Sequence, residues 1–318
     1  MQQLHSSLPL EIAAVTRKNL LTALDSVRGC LKTTSMLWMR VLGIPVLSGV
    51  IVREWSKPSA VAVENFCREG HFSELLLRID KQNERWARRR GGILVALSKV
   101  PATVRELHRE GRITILLEPA SPYADQYSLA GITVPDKKKM IVEVVGPGFD
   151  ASDILRGDIQ PHERWQLGLR QPGEGTTGSD TTPRNERLFL TTEEKYLGTV
   201  QRRLAKIGAR AQNPAFPDAI LNSDTSDFVQ LAKEGAAFLR RARQTVLLRH
   251  VDAYTPIPQK HLVSFAGFVE KLLGGLAGYG IHLGATSFAA SFLPKKGLVF
   301  WDFFPAQKQE AESLYPEQ

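Results

Sequence analysis

The chain of 318 residues holds two cysteines, Cys30 and Cys67. Two thiols build neither a disulfide framework nor a cysteine-rich zinc site, and so little cysteine fits a reducing, cytoplasmic setting. No stretch of about 18 uninterrupted apolar residues is present, which argues against a transmembrane helix. The first residues, MQQLHSSLPLEIAAVTRKNLL, have no basic start leading into an apolar run, so they do not read as a secretory signal. Walker A, G-x-S-x-G, H-E-x-x-H and G-x-G-x-x-G patterns are all missing, which removes the usual short signatures of several hydrolases and nucleotide enzymes. There is no internal repeat.

What remains is an ordinary globular mixture, 43% hydrophobic and 23% charged with 25 Gly and 18 Pro, which excludes collagen, coiled coil and full disorder. The length suits two domains or one large two-lobed unit. The formal charge of +8 suits a phosphate-bearing partner, nucleotide or nucleic acid, and equally serves solubility.

Hydrophobic spacing predicts helices over 10–28, 33–42, 59–69 and 101–110, closed by Gly29, Gly43, Gly70 and Gly111. Strands are expected at 46–52, 75–79, 93–97, 113–117, 140–145 and 297–302. Long helices are expected near 191–208, 226–248 and 259–278. Residues 168–186, rich in Gly, Pro and Thr, read as a mobile loop. Strands and helices in this order, with a helical C-terminal half, give an α+β (mixed α/β) chain.

Four segments carry candidate chemistry. Lys32 begins a helix that leads to Gly43-Ile44-Pro45-Val46 and a strand, where an ammonium can hold a phosphate as a point charge. Arg78, in Leu77-Arg78-Ile79-Asp80, is followed by Arg85, Arg88, Arg89, Arg90 and the pair Gly91-Gly92. An arginine leaving a strand suits bidentate phosphate contact, and paired glycines let backbone approach a ligand. The same run, RWARRR, also reads as a nucleic-acid patch. Glu118, Glu143, Gly146, Gly148 and His162 gather acids and a histidine around Gly-containing turns, which can seat phosphate or Mg²⁺-linked groups. Asp302 ends a strand among aromatics, where a carboxylate needs a partner or a metal.

In this order the segments resemble the N-terminal nucleotide-binding domain of the pyruvate phosphate dikinase and phosphoenolpyruvate synthase family, an ATP-grasp domain. Lys32 to Gly43 and GIPVLSGVIV match its opening motif. Leu77-Arg78-Ile79-Asp80 with Gly91 and Gly92 stands where the family has Val-Arg-Ser-Ser and a Gly-containing loop. Ile113 to Glu118 matches the adenine-hinge strand. Glu143, Gly146, Gly148, Gly157 and Pro161 match the glutamate strand and its turn, and VFWDFFPA matches the closing strand.

The resemblance implies a two-lobed ATP-grasp-like fold, with an N-terminal helical extension over 1–29 and lobes over 30–112 and 113–318. It implies Mg-ATP between the lobes. Lys32 and Arg78 would contact phosphates as the catalytic pair, and Gly91, Gly92, Glu118, Gly146, Gly148 and His162 would line the nucleotide site. Glu143 and Asp302 would serve as metal ligands. Ser287 stands where the family places a metal-binding glutamate, Asp302 replaces a glutamine, and the phosphohistidine and phosphoenolpyruvate domains are missing. The activity implied is an ATP-dependent phosphotransferase or ligase with an acceptor of unknown kind, including a partner protein chain. The alternative is a catalytically degenerate nucleotide sensor or assembly subunit, and nucleic-acid binding ranks third.

Overall fold

A computed structural model describes residues 8–81, 92–120, 127–134, 139–146, 151, 161–169, 186–187, 255–293 and 295–305. Two antiparallel sheets and their helices make up this part, an α+β architecture. The first sheet contains β1 (Leu10–Glu11), β2 (Gly49–Val52), β3 (Glu74–Lys81), β4 (Ile93–Ala96) and β5 (Arg112–Leu117), in spatial order β1-β2-β5-β3-β4. The second contains β6 (Ser128–Val134), β7 (Lys139–Val145), β8 (Glu163–Gly168), β9 (Glu186–Arg187), β10 (Thr286–Leu293) and β11 (Gly297–Pro305), in order β11-β10-β6-β7-β8-β9.

The helices are α1 (Leu20–Ser26), α2 (Leu31–Val41), α3 (Lys57–Gly70), α4 (Val100–Arg109) and α5 (Gln259–Ala277). Alternation along β3 sends Leu75 and Leu77 to one side and Leu76 to the other. Leu75 and Leu77 join Val63 and Cys67 of α3 and Val104 of α4 in one core cluster. Leu76 joins α2, α5 and much of the second sheet in another, which therefore runs through both sheets. On α5, Phe265 stacks on Phe300 of β11 with centroids 5.2 Å apart.

The predicted helix over 10–28 is only partly realised. Residues 10–11 pair with β2, 12–14 form a 3₁₀ turn, and the α-helix starts at Leu20. Asn19 is the reason. Its side-chain oxygen accepts from the Thr16 backbone N–H at 2.7 Å, and its amide donates to the Ala14 carbonyl at 3.1 Å. Such local bonds compete with helix. A lobe boundary at 113 falls inside β5, which pairs with both β2 and β3, so the first sheet extends to Leu117. Strands β6, β8 and β10 escaped the sequence reading, while the helices expected near 191–208 and 226–248 lie outside the described residues, as does the loop after Leu169 up to 185.

Candidate functional site

The N-terminus of α2 lies against β3. Its cap residue, Cys30, makes no side-chain cap, and a carboxylate from β3 takes that role. Asp80 Oδ2 accepts from the Thr33 backbone N–H at 2.8 Å and from the Thr33 hydroxyl at 2.9 Å. A negative charge there satisfies orphan N–H groups and complements the helix dipole. Lys32, buried at 2% exposure, donates from Nζ to the Ile79 carbonyl at 3.0 Å.

Two residues before Asp80, and on the same face of β3 by alternation, Arg78 crosses to the second sheet. Its Nη2 donates to Asp302 Oδ2 at 2.7 Å and its Nη1 to the Trp301 carbonyl at 2.6 Å. Both side chains of this ion pair are almost fully buried, at 6% and 7% exposure. Lys32, Arg78, Asp80 and Asp302 thus form a buried group of two cations and two anions where the sheets meet. Buried charge is tolerated only in such balance.

A second tie lies at the rim. The Glu118 carboxylate accepts from the Ser48 backbone N–H at 3.1 Å and pairs with Lys296 in the β10–β11 turn. It joins the end of β5 to the second sheet.

Register places the other acid. Asp302 pairs with Ala289, Ala289 with Ala130, Ala130 with Glu143, and Glu143 with Arg164. Directly opposed residues share a face, so Asp302 and Glu143 lie in one row on one face. Three strand spacings separate them, roughly 14 Å. Glu143 faces Arg164 on the far side, with Oε1 3.8 Å from Nε. Mg²⁺ holds its oxygens at about 2.1 Å, so one ion does not span both carboxylates as they stand. Among the described residues no group of three His, Cys, Asp or Glu is arranged to hold a metal.

His162 braces the β7–β8 connection. Its backbone N–H donates to the Val144 carbonyl at 2.8 Å, and its Nδ1 accepts from the Gly146 N–H at 3.2 Å. The accepting Nδ1 leaves the ring proton on Nε2 in the neutral form. Gly92 abuts Leu76, where an added Cβ would lie 2.4 Å from Leu76 Cδ1. Gly91, Gly148 and the arginines at 85–90 lie outside the described residues.

Burial pushes the Cys30 thiol up to about 12, with neighbouring Asp80 adding to the rise and Arg53 opposing it. Burial, then Glu163, raises Tyr127, and burial, then Lys260, lowers His261.

No family model matches the chain, and no curated protein does. Solved structures similar to it include D-cycloserine synthetase DcsG, at 9% identity over 86% of this chain and 61% of that one, TM-score 0.38. D-alanyl-alanine synthetase A from Vibrio cholerae is 9% identical over 92% of this chain and 60% of its own, TM-score 0.37. VanG D-Ala:D-Ser ligase from Enterococcus faecalis is 10% identical over 92% and 57%, TM-score 0.40. The chain spans about three fifths of the length of these structures.

Sequence reasoning gave two residues of this region no role. Asp80 carried a signal, its spacing of two from Arg78 on a strand. Glu163 stands in the acid-bearing run Pro161-His162-Glu163; it accepts from the Ile257 backbone N–H at 2.7 Å and from Trp165 Nε1 at 3.0 Å, and so ties β8 to the segment entering α5.

Proposed function

We propose that this chain is an ATP-grasp-like protein that binds ATP between its two sheets and uses it in ligation or phosphoryl transfer. The observation that carries this reading is the convergence of Lys32 and Arg78. Motif order picks both out as phosphate contacts. They come from different elements, α2 and β3, and meet in one buried group at the junction of the sheets. Phosphoryl chemistry asks mainly for positioning and charge neutralisation, which fixed cations supply. Glu118, at the end of β5, stands where the motif order places the adenine contact. The acceptor class is a carboxylate, a small-molecule hydroxyl or a histidine on a partner chain.

The carboxylates do not fit a shared Mg²⁺ in this arrangement. Calorimetric titration of ATP, with and without Mg²⁺, tests the reading. Saturable binding near one site per chain, weakened when Lys32 or Arg78 is replaced by Gln, is the expected result. Absence of binding at millimolar ATP would overturn it.

A second reading is nucleotide binding without turnover. It is favoured by the pairing of Arg78 with Asp302, which neutralises that cation within the chain. Sustained ATP hydrolysis or transfer by the purified protein would exclude it.

A further inference from the structure

The contact between Arg78 and β11 depends on a fault in the strand. On β10, Ala289 pairs with Asp302 but Ala290 pairs with Phe300, so Trp301 is the extra residue of a bulge. Ala289 and Ser291 point to the same face by alternation. Asp302 shares that face through its pairing with Ala289. Trp301 shares it too, because its indole N–H donates to Ser291 Oγ at 2.8 Å. Consecutive strand residues ordinarily point to opposite faces, and a bulge is what lets two of them converge. Ser128 Oγ, 2.9 Å from Ser291 Oγ, holds the acceptor hydroxyl in place.

The seat so formed receives one guanidinium. Arg78 sits with its central carbon 5.7 Å from the Trp301 ring centroid, a carbonyl on one terminal nitrogen and a single carboxylate oxygen on the other. That is a one-point grip on the acid. A guanidinium fork matches a phosphate or carboxylate more strongly when both nitrogens engage the same anion. The hold on Asp302 is therefore weaker than that on an anion engaged by both nitrogens.

We propose that Asp302 is the internal occupant of an oxyanion site on Arg78, and that the pair is a latch between the two sheets which a phosphate-bearing ligand opens by taking the place of Asp302. This rests on the reading of Arg78 as a phosphate contact. The latch also accounts for a candidate phosphate arginine being almost fully buried. In the closed form the site is filled, and the ligand meets only the fraction of molecules in which the sheets have parted, which lowers its apparent affinity.

The test is calorimetric titration of the full chain and its Asp302→Asn variant with Mg-ATP and, separately, with Mg²⁺-free pyrophosphate. Asparagine keeps the shape and removes the competing charge. Affinity for both probes is expected to rise on the order of tenfold in Asp302→Asn. The rise should vanish when Arg78→Gln is added. Ser291→Ala, which frees the indole and leaves the ion pair's own atoms in place, should give a smaller gain in the same direction, and serves if Asp302→Asn does not fold. Equal binding of both probes by the native chain and the variant would overturn the latch while leaving the nucleotide reading standing. Weaker binding by Asp302→Asn would overturn it by making Asp302 a ligand contact. Tighter pyrophosphate binding by Asp302→Asn with no ATP binding by either form would uphold the latch and remove the nucleotide reading. Absence of binding for both probes in both forms would overturn the two together.

Discussion

The Arg78–Asp302 pair allows a sharp test of what joins the two sheets. The side chains are 6% and 7% exposed, with Nη2 to Oδ2 at 2.7 Å. Removing one partner strands the other as an unpaired buried charge, which costs about 3–5 kcal/mol. Against a total stability of about 5–15 kcal/mol, Asp302→Leu or Arg78→Met alone should bring the protein near its unfolding threshold. Replacing both partners leaves no charge behind. Arg78→Met places a thioether beside Met36, whose Sδ lies 4.0 Å from Nη1. The remaining loss is the donor to the Trp301 carbonyl, which leaves that acceptor unsatisfied at a cost of about 1–3 kcal/mol. The double variant should therefore cost less than either single change and fall below their sum by about 3 kcal/mol or more. Equilibrium urea unfolding of the four proteins, with the slope checked for constancy, measures this coupling. Additive effects, or single changes costing under about 1 kcal/mol, would show that the pair is not isolated from water and would refute the reasoning.

Two further predictions concern the first sheet and α2. The Cys30 thiol is pushed up to about 12 by burial first and Asp80 second, from an ordinary value of 9.0. A value raised in the folded state contributes stability that is complete below the unfolded value and lost as pH climbs towards the folded one. Cys30→Ala should therefore lose stability more gently than the native chain between about pH 9 and 11, as read from urea midpoints, and equal slopes would contradict the assignment. At Gly49, an added Cβ would lie 2.3 Å from the Leu116 carbonyl oxygen and 2.7 Å from Leu117 Cδ2. Because the nearer atom is backbone in a central strand, Gly49→Ala should cost about 1–3 kcal/mol or more, and an unchanged melting temperature would show that β2 and β5 can move apart.

Much of the architecture was legible because it is written locally. Gly29, Gly43 and Gly111 all adopt positive φ, at 82°, 67° and 68°, where glycine has no side-chain penalty, and each ends a helix the spacing predicts. Runs such as Leu75–Ile79 and Met140–Val145 lie in the buried strands β3 and β7. The strands that escaped notice have weaker patterns. Thr286–Leu293 (TSFAASFL) has no polar–apolar alternation and is buried at every position, so it shows no solvent-facing polar side. Glu163–Gly168 is short and mixed, with Trp165 and Leu167 on one side and Arg164 and Gln166 on the other.

The α+β class of this chain is written in local pattern. Its apolar periodicity sets helices and strands, and its glycines set the stops. All of these act over a few residues and need no partner. Which charges face one another was decided by tertiary structure alone. Arg78 and Asp302 lie 224 positions apart, and Asp80 caps the start of α2 from 47 positions away. Their meeting depends on how two antiparallel sheets pack and on a single extra residue in β11. The pairing energy of a buried charge follows from the distance and solvent exclusion that packing creates, so a linear pattern of residues carries no trace of it.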